Sequence, residues 1–224
     1  MGQRSMEIVE SVKRILETLP AGVTLAAAAK GRTPAEVEDA LRAGITHVGH
    51  NYVQEAQKMI QVLGHKATWH LIGHLQRNKA KIAVQLFDVI ETVDSWHLAV
   101  AIDRHCAAAG KVMPVLVEIN SGREASKTGV MPDEVDDLVQ HLSDLQHIRV
   151  QGLMTMGPRF GDPEEARPFF QATRAAFERL SVLDLPNVTM RTLSMGMSNS
   201  YLVAIEEGAN LVRIGTGLFD GRPN

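Results

Sequence analysis

Short apolar runs, many of them β-branched, recur along the chain at Val23–Ala29, His47–Gly49, Thr68–Ile72, Asp88–Val93, Met113–Asn120, Arg149–Met156, Val188–Leu193 and Leu211–Ile214. The longer stretches between them carry apolar residues at helical spacing, as in Pro34–Ala43, Tyr52–Leu63, Ser95–Ala109, Pro132–Leu142, Pro163–Leu180 and Ser198–Glu207. Ahead of the first run, Ile8, Val12, Ile15 and Leu19 predict an amphipathic helix at about 5–19. Boundary signals agree. Thr33-Pro34 and Met131-Pro132 place proline at a first helical position, and Gly44, Gly64, Gly110 and Gly208 stand where helices should stop.

Strands that alternate with helices imply a parallel sheet. Eight such units without a linker predict one α/β domain over residues 1–224, a single (β/α)8 TIM barrel. An open, doubly wound sheet is the alternative. A length of 224 residues is near the lower end for the barrel and leaves little for a second domain.

Composition narrows the functional classes. The balance of 23 basic against 26 acidic residues offers no basic excess for phosphate neutralisation, so no nucleic-acid partner is expected. Cys106 is the only cysteine, which rules out an internal disulfide and fits a reducing compartment. No apolar run approaches the ~20 residues that span a bilayer. The charged N-terminus does not read as a signal peptide, and Met6 stands where a myristoylation motif wants Ser or Thr. A soluble cytoplasmic protein with no membrane partner is expected.

Barrel active sites lie at the C-terminal ends of the strands. The first strand, in "VTLAAAAKGRT", ends at Lys30 behind a run of small alanines. The second ends at His50 and Asn51, the third at Gly73 and His74, the fifth at Asn120 and Ser121, and the sixth at Met156. The seventh runs into "SMGMSNS" and the eighth into "RIGTG". Gly196 permits a tight turn, while Ser198 and Asn199 offer donors beside the free N–H groups of the next helix. Thr216 adds a hydroxyl to the second turn. Either turn alone reads as an ordinary capped βα turn; both together, after strands seven and eight, point to a phosphate. Arg213 interrupts the apolar run "NLVRIG" and alternates onto the face opposite Val212 and Ile214, where a buried guanidinium needs a partner. A structural salt bridge and a ligand contact both remain open for it. Lys30 can reach solvent, or, desolvated, form a Schiff base with an aldehyde.

An amine, two phosphate turns and an arginine on the adjoining strand describe a pyridoxal 5′-phosphate site, with a Schiff-base aldolase acting on a sugar phosphate as the competitor. Other patterns fail. "GMSNS" lacks the last glycine of a nucleophile elbow, and "GTGLFDG" has the wrong spacing for a dinucleotide loop. His70 and His74 fall on a strand and its exit with no third ligand, so no metal is expected. Met154, Met156, Met195 and Met197 read as core filler or pocket lining, Lys127 as a loop charge, Lys79 and Lys81 as solvated helix charges, and Gly122–Gly129 as a flap.

The stretches "AAAAKGRTPAEVEDAL", "GHNYVQEAQKM", "WHLIGHLQRNKAK", "FDVIETVDS", "PVLVEINSGREASKTGV", "QGLMTMGP" and "LSMGMSNSYLVAIEEGANLVRIGTGLFDGR" resemble, in order, the pyridoxal phosphate homeostasis protein family. The resemblance implies a barrel like the N-terminal domain of alanine racemase, with the cofactor on Lys30 and Asn51 beside its ring. It further implies Ser194, Gly196, Met197 and Ser198 near the phosphate, Arg213 at the ring nitrogen, and Gly215 and Thr216 at the phosphate. His50 departs from the Glu usual before this Asn and places the local hydrogen-bond network near the ring in question.

The expected function is cofactor homeostasis without catalysis, and no catalytic residue is assigned. Neither Tyr52 nor Tyr201 is placed as a second base, and an arginine at the ring nitrogen opposes the protonation that makes the ring an electron sink. An amino-acid racemase is the first alternative and the aldolase the second. The cofactor itself and apoenzymes that use it are the expected partners, and a monomer is the expected state.

Overall fold

The computed structural model describes residues 2–124, 127–158 and 161–220. After α1 (Gln3–Thr18) the chain alternates β1 (Thr24–Ala28), α2 (Pro34–Arg42), β2 (His47–His50), α3 (Val53–Leu63), β3 (Thr68–Leu71), α4 (Ala80–Leu86), β4 (Val89–Val93) and α5 (Trp96–Ala109). It continues β5 (Met113–Ile119), α6 (Val135–Leu142), β6 (Ile148–Thr155), α7 (Arg167–Ser181), β7 (Val188–Ser194), α8 (Tyr201–Glu206), β8 (Leu211–Ile214) and α9 (Thr216–Phe219). All eight apolar runs are strands, and each strand end lies within one residue of the sequence reading. The sheet is a closed parallel barrel, with Thr24–Ala27 of β1 paired to Leu211–Ile214 of β8, so the open-sheet alternative does not hold.

Register decides which side chains meet inside. Ala26 pairs with both Arg213 and His47, and Gly49 pairs with His70, so these residues point into the barrel. Their strand neighbours Ala27, Val48, Trp69 and Leu71 point outward and bury against the helices in one apolar core with Val37, Ala40, Ala56 and Met59. Strand periodicity forces this division.

Two local devices shape the end of the barrel that carries Lys30. Thr33 caps α2: its hydroxyl accepts the Glu36 N–H at 3.3 Å, and the Glu36 carboxylate accepts the Thr33 N–H at 2.9 Å. This reciprocal box, with Pro34 at the first helical position, fixes the chain three residues past Lys30. At the closing seam α9 is a single turn, and α1 packs against both α2 and α9 through a face made by Ile8, Ser11, Val12 and Ile15. The N-terminal helix therefore completes the outer layer between β8 and β1.

The helix starts differ from those expected. α1 begins at Gln3, two residues before the expected start. Pro132 opens a turn closed by the Glu134 N–H on Met131 O at 2.9 Å, and α6 begins only at Val135. α8 begins at Tyr201, which leaves Ser198 in the loop. No helix among the described residues is long and apolar enough to cross a membrane.

Candidate functional site

Lys30 follows β1 directly and is exposed at the mouth, so of the two readings open for its amine the structure shows the one that reaches solvent. Its Nζ lies 5.4 Å from the centroid of the Tyr52 ring. Asn51 and Tyr52 form the adjoining rim after β2, and the Ala29 N–H continues the ladder onto Gly49 O at 2.9 Å. Gly73 lies so close to Asn51 that a Cβ would stand 2.4 Å from its carbonyl oxygen.

Across the β1–β8 seam stand the two glycine turns. Gly196 adopts φ +92°, and a Cβ there would meet Ala204 Cβ at 2.6 Å, so only glycine makes this turn without strain. Ser198 Oγ accepts the N–H groups of Gly215 and Gly217, each at 3.3 Å, which draws the turns after β7 and β8 together on one hydroxyl. Met197 N–H is bound to Ser200 Oγ at 3.3 Å, and the Thr216 side chain is exposed between the two glycines. Helices of six and four residues contribute little macrodipole. The N–H groups of Met197, Gly215 and Gly217 are satisfied within the turns by the Ser200 and Ser198 hydroxyls.

The floor of the mouth is a buried polar chain. Arg213 (3 % exposed) gives Nη2 to Thr155 O at 2.8 Å and to Met156 Sδ at 3.4 Å, and Nη1 to Ser194 Oγ. Ser194 Oγ donates in turn to Glu91 Oε2 at 2.6 Å, and Glu91 Oε2 lies 3.8 Å from Arg213 Nη1. Glu91, fully buried on β4, holds His70 Nδ1 at 2.6 Å, and His70 Nε2 meets His47 Nδ1 at 2.9 Å. Burial alone would raise the Glu91 carboxyl, but His70, Arg213 and Ser194 outweigh it and keep it below the usual carboxylate range. Burial pulls Arg213 below its ordinary value against the attraction of Glu91 and Glu118. Ser194 thus belongs with Arg213 in the floor, one layer below the turn that carries Ser198. The Arg213 Nε–H has no partner among the described residues.

Half-way round the barrel from Lys30, Glu118 on β5 forms the far wall. Its Oε1 accepts the Thr128 hydroxyl at 2.8 Å, while Oε2 is buried without a partner. Burial pushes this carboxyl up, as does Asp94, against Thr128, Arg213 and His74. His74 Nδ1 lies 3.5 Å from Asp94 Oδ2 on the rim above. Open cavities of about 500 and 400 Å³ lie over the loops after β3 and β4, lined by His74, Arg77, Asp94 and His97 among others. Neither reaches Lys30 or the glycine turns.

Glu91 and Glu118 escaped the sequence reading although both interrupt apolar runs, "VIETV" and "VLVEI", in the way that singled out Arg213. His50 needs a correction. It points away from the barrel interior, opposite in sense to His47, and stacks on Trp69 with centroids 6.0 Å apart. Its ring therefore does not face the mouth. Both its ring nitrogens are buried without partners, and burial lowers its pKa to about 4. Of the expected flap at 122–129, Ala125 and Ser126 lie outside the described residues. Lys127 is paired to Glu124 at 2.6 Å. Met154 and Met195 are fully buried.

The closed barrel with its amine after β1 has a recognisable class: residues 8–223 match the family model of the alanine racemase N-terminal domain. Full-length relatives place it more finely. The pyridoxal phosphate homeostasis protein of Aquifex aeolicus (strain VF5) is 35 % identical over 224 residues, which cover 98 % of this chain and 97 % of the relative. Among solved structures, PipY of Synechococcus elongatus PCC7942 without PLP superposes with a TM-score of 0.89 at 35 % identity, over 95 % of this chain and 99 % of that one. The same protein with PLP bound gives 0.86 at 34 % identity, over 95 % and 99 % of the two chains. This chain belongs to the pyridoxal phosphate homeostasis protein family.

Proposed function

We propose that this protein binds pyridoxal 5′-phosphate at the mouth between β1, β7 and β8 and takes part in homeostasis of that cofactor, without turning over a substrate. The observation that carries the reading is that β1 and β8 pair side by side, so that Lys30 and the Gly215–Gly217 turn bound to Ser198 follow adjoining strand ends. The relative with PLP bound shares this barrel over nearly its whole length. When bound, the cofactor supplies an aldehyde, and a primary amine is the group that condenses with it.

Each residue then has a role. Lys30 provides that amine, and Asn51 edges the ring. Gly196, Met197, Ser198, Gly215 and Thr216 surround the phosphate. Arg213 presents its free Nε–H to the ring nitrogen, and Ser194 holds Arg213 in place. A guanidinium fixed there by Glu91 opposes protonation of the ring nitrogen, which disfavours carbanion chemistry. Supply of the cofactor to apoenzymes in the cytoplasm, as a monomer and without nucleic acid, is the matching cellular role. One observation favours a second reading as an amino-acid racemase: Glu118, an acid with a free oxygen, faces the interior opposite Lys30.

The test is an absorption titration with pyridoxal 5′-phosphate, followed by incubation of the loaded protein with L-alanine. Saturable binding with no racemisation is expected. Failure to bind sinks the cofactor reading, and turnover at ~1 per second or faster replaces the homeostasis reading by the racemase.

A further inference from the structure

Hydrogen-bonded pairing between β1 and β8 stops at Ala27 and Ile214, short of Lys30, Gly215 and Thr216. Beyond that point β1 runs into the loop that carries Lys30, and β8 passes through Gly215, still close against Ala28, into α9 at Thr216. Arg32, two residues past Lys30, reaches across to Asp220, four residues past Thr216. Its Nη1 donates to Oδ1 at 2.6 Å and its Nη2 to Oδ2 at 2.8 Å. We propose that this two-bonded Arg32–Asp220 pair is a clamp, a pair of positioning residues that holds the Lys30 amine at a fixed offset from the phosphate turn.

Planar fork-to-fork pairing fixes angle as well as distance, which a single contact to an ammonium does not. The clamp is itself anchored on both sides. The Arg32 guanidinium lies 5.2 Å from the centroid of the buried Phe219 ring. Arg4 of α1 reaches the same Asp220 at 3.4 Å and Glu36 of the α2 capping box at 3.1 Å. The hydrogen bonds from Arg32, outweighing partial burial, hold the Asp220 carboxyl below the usual carboxylate range. The two side chains remain 18 % and 30 % exposed, so water screens the pair and limits what its charges add to folding stability. Two-bonded geometry that joins the segment after β1 to the end of α9, and through Arg4 to the α2 cap, points to positioning as its use.

A ligand gripped at two ends gains from having its two grips pre-set relative to each other. Pyridoxal offers only the aldehyde end, whereas pyridoxal 5′-phosphate offers both. The clamp should therefore set the preference for the phosphate ester over pyridoxal and leave pyridoxal binding nearly unchanged. This inference rests on the proposed cofactor site.

The experiment is a spectroscopic titration of both ligands against wild type, Asp220→Asn, Arg32→Gln and the double variant. The readout is the affinity ratio of the two ligands within each protein, which cancels any loss of folded fraction. Each single variant should lower that ratio about tenfold, one charge-assisted bond's worth of preference. The double variant should be no worse than either single, because both changes open one clamp. Unchanged ratios, equal weakening of both ligands, or additive losses would overturn the clamp while leaving the site intact. A wild type that binds pyridoxal as tightly as its phosphate overturns the cofactor site and the clamp with it.

Discussion

Two arginine–carboxylate systems serve the same mouth, and they differ in almost every physical respect. Arg213 and Glu91 lie in the barrel floor, almost wholly out of solvent, joined through Ser194 and extended by His70 and His47. Arg32 and Asp220 lie on the rim, partly wet, linked by two direct bonds. In the floor, low dielectric makes each charge dependent on its partner, so loss of either leaves an uncompensated buried ion. On the rim, water replaces a lost partner, and what disappears is geometry. The floor is therefore an element of folding, and the rim, on the clamp proposal, an element of positioning.

The contrast breaks most visibly in stability. Arg213→Leu or Glu91→Ala should cost about 3–5 kcal/mol, lowering the thermal midpoint by roughly 10 °C or more in a chain of this size. Asp220→Asn should cost less than about 1 kcal/mol. Urea melts of the three variants measure this, and equal losses at floor and rim would erase the distinction.

The phosphate turns come next. Charge-assisted hydrogen bonds contribute about 1.5–3 kcal/mol each. Ser198→Ala combined with Thr216→Val should therefore weaken pyridoxal 5′-phosphate binding by roughly 100-fold and barely affect pyridoxal. Equal weakening of the two ligands would place the phosphate elsewhere.

A smaller effect concerns His50, which belongs to neither system. Its ring takes a proton only below about 4 in the folded protein, whereas an unfolded histidine does so near 6.5. Between those values the unfolded chain binds the extra proton, so stability present above pH 6.5 is lost as the pH falls towards 4. The loss reaches up to about 3 kcal/mol. His47, also lowered by burial, titrates in the same sense, so the informative quantity is the difference from His50→Phe. That variant should show a shallower fall in stability over the window. Identical slopes would mean that His50 is hydrated.

The barrel was legible because apolar runs and helical spacing report burial, and burial is what the strands and helices require. Lys30 and the glycine turns could be placed because the strand ends were known. The Arg213 partner could not, because Glu91 is 122 positions away in sequence and its meeting with Arg213 depends on barrel closure and register. The Arg32–Asp220 pair was hidden for the same reason: "KGRT" and "FDGR" look like two unrelated loop ends until β1 and β8 pair. His50 was placed wrongly in relation to the mouth because a strand end has two faces, and only the register with β3 chose between them.

The central claim is that Lys30 is the residue that meets the aldehyde, with the phosphate across the β1–β8 seam. Borohydride reduction of the protein loaded with pyridoxal 5′-phosphate, followed by peptide mapping, tests it most directly. The account predicts a single major pyridoxyl adduct on Lys30. A major adduct on Lys127, Lys79 or any other lysine would contradict it.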